Sequence, residues 1–125
     1  FHIFAAKSPI EDLDLLDPWK IFLVQLSDFM WQETRAFEER MATARTFRVF
    51  PGEGVHSEQL VDLVLKLDAL GYAGDYSFEV FNDDYVQMPL PFVAERARKS
   101  ALWLAEDVLQ TSVPLPNQMR LKGSR

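Results

Sequence analysis

Ile21-Phe22-Leu23-Val24-Gln25-Leu26-Ser27-Asp28 is an apolar run, interrupted only by Gln25, that ends in a hydroxyl and a carboxylate. A run of this length suits a strand over Ile21 to Leu26, covered on both faces as strands of a parallel sheet are. Downstream, Tyr76-Ser77-Phe78-Glu79-Val80-Phe81 is a second aromatic and β-branched run. It carries Glu79 inside it and is broken by Asn82-Asp83-Asp84. Upstream, Phe1 to Ala5 reads as a short apolar strand. Each run delivers a polar side chain to one rim, the pattern of a (β/α)-barrel active site.

Helical signals fill the intervals. Ile10, Leu13, Leu15 and Leu16 among acids predict a short helix that Asp17-Pro18 ends, because the residue before proline avoids the α region. Glu33 to Ala44 is rich in good helix formers within a long polar connection, Phe29 to Thr46. Leu60, Leu63, Val64, Leu67 and Leu70 recur at helical spacing, with Ser57 as the expected N-cap and Gly71 as the C-cap glycine. Val93 to Val108 predicts the last helix, with Arg96, Arg98 and Lys99 on a solvated face. The order strand, helix, strand, helix, helix, strand, helix points to parallel βα units. From Gln110 to Arg125 the chain reads as an irregular tail.

Length and composition narrow the possibilities. The chain has 125 residues with 48% hydrophobic content, enough for a core, whereas a closed eight-fold barrel needs roughly 250. Its net charge of −6 and the absence of any basic cluster interleaved with aromatics argue against nucleic acid as a partner. No apolar run approaches a membrane span of about 18 residues, and no signal-peptide pattern opens the chain. The absence of cysteine rules out a disulfide framework and a thiolate metal site, and is compatible with the cytoplasm.

Several side chains are candidates for chemistry. Glu79 within a strand pattern is costly to bury without a partner, so it pairs with an arginine, faces solvent or binds a ligand. Gln25 is either a satisfied core amide or a metal ligand through its oxygen. Asp28 caps a helix, supports a ligand or is exposed. His2 is a general acid/base candidate, although a lone His among apolar residues is more often structural. Arg48, which opens Arg48-Val49-Phe50-Pro51-Gly52-Glu53-Gly54, is a carboxylate clamp or one half of a surface ion pair. The loop lacks the Lys-Ser/Thr of a Walker A loop. His56 receives no role. Carboxylate, amide and imidazole without thiolate indicate a hard or borderline ion: Mg²⁺, Mn²⁺ or Co²⁺.

At Phe1-His2-Ile3, Lys20 to Asp28, Arg48 to Gly54, Gly71-Tyr72-Ala73-Gly74 and Ser77 to Asp83, the chain resembles the xylose-isomerase-like TIM-barrel superfamily of sugar isomerases and epimerases. Within that superfamily it is most similar to bacterial 3-dehydroshikimate dehydratases. The resemblance covers 1 to about 109. It implies an α/β fold made of the C-terminal part of a TIM (β/α)8 barrel, about strands six to eight with their helices. Phe1 to Ala5, Ile21 to Leu26 and Tyr76 to Phe81 would be those strands, and 110–125 a tail outside the likeness.

The resemblance implies Gln25 and Glu79 as metal ligands, His2 and Glu79 as catalytic residues, and Arg48 as the residue that binds a substrate carboxylate. Two further ligands would lie upstream. Gln25 stands where most of the epimerases have His, and this favours the dehydratases. The implied reaction is metal-dependent dehydration of a cyclic hydroxy-keto acid to protocatechuate. The runner-up is a sugar or inositol-derivative isomerase or epimerase. A reading from another class is a non-catalytic fragment or interaction module. The partial barrel would expose sheet edges, so self-association is expected.

Overall fold

Two strands, β1 (Leu23–Leu26) and β2 (Asp75–Phe78), pair in parallel in the register Leu23↔Asp75, Val24↔Tyr76, Gln25↔Ser77 and Leu26↔Phe78. The computed structural model describes residues 1–112. Parallel neighbours need a crossover. Here it contains two helices, α2 (Phe37–Thr46) and α3 (Ser57–Ala69). A one-turn helix α1 (His2–Ala5) and 3₁₀ turns at Ile10–Leu15 and Pro18–Lys20 precede the sheet. After β2 come α4 (Asp83–Gln87) and α5 (Leu90–Leu102), which runs on into a π-helical turn, Trp103–Val108.

The core lies between the sheet and α3. Leu60, Leu63, Val64 and Leu67 are buried on the helix and pack with Leu26, Tyr72 and Leu104. Val24, Tyr76 and Phe78 flank the same cluster. Strand side chains alternate, so Val24 and Leu26 share the helix-facing side, whereas Gln25 and Ser77 point to the other. Each fully buried aliphatic side chain contributes roughly 1.5–3 kcal/mol. Helix α3 ends as its sequence requires. Gly71 sits at φ +91° and donates to Asp68 O, while Tyr72 N donates to Leu67 O. This reciprocal pair is a Schellman cap, and only glycine takes that φ without strain.

Several expectations need correction. Phe1 to Ala5 is not a strand. Ala5 N donates to Phe1 O at 2.9 Å and Ala6 N to His2 O at 3.0 Å, so the segment satisfies its own backbone in a helical turn. A five-residue apolar run has no period that separates strand from helix. The strand at Ile21 to Leu26 is shorter and is not covered on both faces. Phe22 is 86% exposed and Leu23 50%, while only Leu26 of β1 is buried. Ser57 is the first helical residue rather than the cap, because His56 takes the N-cap position and Ser57 Oγ donates back to Gly54 O. The last helix begins earlier, at Leu90, with Pro91 tolerated in its first turn.

Arg96 is only partly solvated. It pairs with Glu53 and lies over the Tyr85 ring at 4.7 Å. Most of the predicted 110–125 tail lies outside the described residues. Among those residues no helix is long and apolar enough to cross a membrane.

Candidate active site

Gln25 and Glu79 reach the same side of the sheet by strand alternation. Gln25 pairs with Ser77 on the side opposite the helix core, and Glu79 is the next residue of that parity. Glu79 N donates to Leu26 O at 3.1 Å, which carries the ladder one step past β2 and fixes the Glu79 backbone at the strand's C-terminal end. The amide is exposed and the carboxylate half-buried, so Gln25 is not the buried core amide of the structural alternative.

Arg48 closes the arrangement. It is buried, and Nη1 donates to Glu79 Oε2 at 2.8 Å and to Glu79 O at 3.3 Å. Nε donates to Ala44 O at 2.7 Å, the last turn of α2. The guanidinium lies 5.0 Å over the Phe1 ring and 5.3 Å over that of Phe81. Two aromatic faces and three acceptors hold a planar cation that a lysine could not replace. Its remaining nitrogen, Nη2, stands 3.5 Å from His2 Nε2.

His2 is exposed at its outer edge but packs edge-on against Phe1, with ring centroids 5.0 Å apart. Burial first, and the Arg48 charge second, hold its pKa below 6.5, while Glu79 pulls the other way. The imidazole is therefore neutral near pH 7, and a ring nitrogen facing a guanidinium is oriented as an acceptor. His2, Gln25, Arg48 and Glu79 line one cleft of about 280 Å³ with Phe1 and Ser27. All four candidates from the sequence thus meet in one place.

The residues of the cleft fit a metal only in part. Among the described residues no group of three His, Cys, Asp or Glu side chains could hold a metal ion. Gln25 and Glu79 supply two oxygen donors, whereas Mg²⁺ takes about six ligands. Arg48 already neutralises one oxygen of Glu79.

Asp28 and His56 were the residues the sequence left open or without a role. Asp28 is fully buried, and its Oδ1 accepts from Phe29 N at 2.7 Å, His56 N at 3.3 Å and His56 Nδ1 at 2.9 Å. Oδ2 has no partner among the described residues. Gly54 explains the loop's glycine. A Cβ there would come within 2.5 Å of Asp28 Oδ1 and Phe29 O. No local pattern in the sequence joins Asp28 to His56, which lies 28 residues away.

A second charged cluster flanks the loop. Glu53 accepts from Arg96 and from Tyr85 Oη at 3.3 Å. Burial first, then the Glu53 charge, pushes the Tyr85 phenol up to about 12.

No family model matches the chain. Inosose isomerase from Halalkalibacterium halodurans is 34% identical over 102 residues, 81% of this chain and 32% of that protein. The 3-dehydroshikimate dehydratase of Pseudomonas aeruginosa is 32% identical over 106 residues, 85% of this chain and 16% of that protein. The Pseudomonas putida dehydratase is 30% identical over a stretch of the same length. The chain therefore spans about a third of the isomerase and about a sixth of each dehydratase. A solved structure of IolI protein with a bound zinc atom superposes with a TM-score of 0.69 at 24% identity. The match covers 86% of this chain and 36% of IolI, which establishes the fold as part of a TIM barrel.

Proposed function

We propose, from the premise that the chain is related over most of its length to xylose-isomerase-like TIM-barrel enzymes, that residues 1–109 are the C-terminal part of such a barrel. In this reading 110–125 is a tail, and the chain contributes half of a metal-dependent lyase site. The relatives support an enzymatic reading, being an inosose isomerase and 3-dehydroshikimate dehydratases, and the latter favour the lyase. The observation that carries the proposal is the convergence of His2, Gln25, Arg48 and Glu79 on one cleft at the C-terminal ends of two parallel strands.

The substrate class is a cyclic hydroxy-keto acid of the 3-dehydroshikimate type. Arg48 offers Nη2 to a substrate carboxylate while Glu79 and Ala44 O hold its other nitrogens. Neutral His2 accepts the α-proton at Nε2, the C–H electron pair becomes the new C=C bond as the C–O bond at the β-carbon breaks, and the proton on His2 passes to the departing oxygen, which leaves as water. A divalent ion, Mg²⁺, Mn²⁺ or Co²⁺, would polarise the carbonyl. Gln25 and Glu79 would be two of its ligands.

The 34% identity to an inosose isomerase supports a second reading on the same residues, a proton shift between adjacent carbons of a polyol ketone. The two separate in one assay of the whole protein. Chelator-sensitive growth of aromatic product absorbance from 3-dehydroshikimate supports the dehydratase. Turnover of an inosose without that absorbance supports the isomerase. A folded, metal-loaded protein that converts neither overturns both and leaves the non-catalytic reading.

A further inference from the structure

Asp28 and His56 lie outside the cleft, yet they are among the most buried polar side chains of the described residues. Both ring nitrogens of His56 face acceptors. Nδ1 stands 2.9 Å from Asp28 Oδ1, and Nε2 stands 3.2 Å from the backbone carbonyl of Gln32. A neutral imidazole has only one N–H, so one of these contacts would set a lone pair against an oxygen. The ring is clamped between Phe29, at a centroid distance of 4.0 Å, and Phe4, stacked at 5.5 Å, so it cannot turn away.

The pair is also tied to the cleft. Asp28 and Val49 exchange backbone hydrogen bonds, each 2.9 Å, which places Arg48 beside the end of β1. His56 N and Nδ1 then anchor the far end of the 48–54 loop to the same Asp28 carboxylate. The loop is held at both ends by one residue.

We infer that His56 is held as an imidazolium in a buried ion pair with Asp28, and that this pair is a positioning device that sets the Arg48 guanidinium on Glu79. Its catalytic meaning rests on the reading of Arg48 as a carboxylate clamp, while its geometry does not. Truncating the ring leaves a buried carboxylate with one donor fewer and releases the loop end. The consequence is a looser Arg48 rather than a lost reactive group.

The experiment uses the ¹⁵N-labelled chain. Long-range proton–nitrogen correlation at neutral pH should show both His56 ring nitrogens protonated, and one nitrogen at the unprotonated position overturns the ion pair. In the unmodified chain the Arg48 Nε–H should be a sharp, slowly exchanging resonance. His56→Phe, which keeps an aromatic ring but no ring nitrogen, should broaden it and speed its exchange at least tenfold, and His56→Gln should restore part of the protection. An Arg48 resonance unchanged in a folded His56→Phe chain overturns the positioning role. Should that variant fail to fold, Asp28→Asn gives the same readout. None of these measurements needs turnover, so they separate this inference from the proposed reaction.

Discussion

Arg48 and Glu79, 31 positions apart, meet at 2.8 Å with the guanidinium buried and the carboxylate open to the cleft. The asymmetry matters. The cation is committed to structure through Ala44 O, Glu79 and two aromatic rings, whereas the anion keeps a free side toward the cleft. Arg48→Met should therefore cost more than Glu79→Gln. Losing a buried donor that serves three acceptors destabilises by roughly 2–4 kcal/mol. Replacing the half-exposed carboxylate by an amide that still accepts should cost about 1 kcal/mol or less. Urea denaturation of the two variants checks the order, and equal losses would contradict it.

Gly54 and Gly71 should respond differently to the same substitution. At Gly71 the surroundings are open and only the φ of +91° resists a side chain, so Gly71→Ala should cost about 1–2 kcal/mol. At Gly54 the new methyl would overlap the Asp28 carboxylate and Phe29 O, and neither can retreat from a buried site. Gly54→Ala should cost about 3 kcal/mol or more. It should also release His56, visible as a chemical-shift change at the ring. A Gly54→Ala chain no less stable than Gly71→Ala would refute the close approach.

What the sequence revealed follows the reach of its signals. Helix α3 was legible because Leu60, Leu63, Val64 and Leu67 repeat at helical spacing and Gly71 supplies a left-handed cap. Gln25, Arg48 and Glu79 were legible as candidates because polar groups at the ends of apolar runs are conspicuous, and the family likeness gave them roles. Their meeting with His2 across 46 residues was expected from that likeness alone, because no local pattern in the sequence reaches so far. Phe1 to Ala5 misled because an apolar run too short for either period carries no direction. Asn82 read as a breaker but is also the N-cap of α4, accepting from Asp84 N and Tyr85 N. His56 was overlooked because its partner is 28 residues away and no local pattern joins them.

Tyr85 gives a readout of the Glu53–Arg96 cluster. Its phenol is held near 12 by burial first and the Glu53 charge second, against an ordinary value of 10. The folded state therefore keeps a proton that the unfolded chain gives up. The associated stability is complete below pH 10 and is lost as the pH rises toward 12. Glu53→Gln should move the phenolate absorbance midpoint of Tyr85 downward without bringing it below 10, because burial remains. Subtracting the Tyr85→Phe titration isolates this residue, and an unmoved midpoint would show that Glu53 does not act on the phenol.

His2 tests the cleft electrostatics with the opposite sign. Burial and Arg48 place its folded pKa below 6.5, so on acidification the unfolded chain takes up a proton first. Stability from this residue is intact above 6.5 and falls as the pH drops from 6.5 through the folded value. The Cε1–H chemical shift should titrate with a midpoint below 6.5 in the unmodified chain. Arg48→Met removes the repelling charge and should raise the midpoint, whereas Glu79→Gln removes the attracting one and should lower it further. If His2 is the base, the acid limb of the pH–rate profile should follow the same two displacements. Midpoints that stay fixed in both variants would mean that neither charge reaches the imidazole, and would remove His2 from the site.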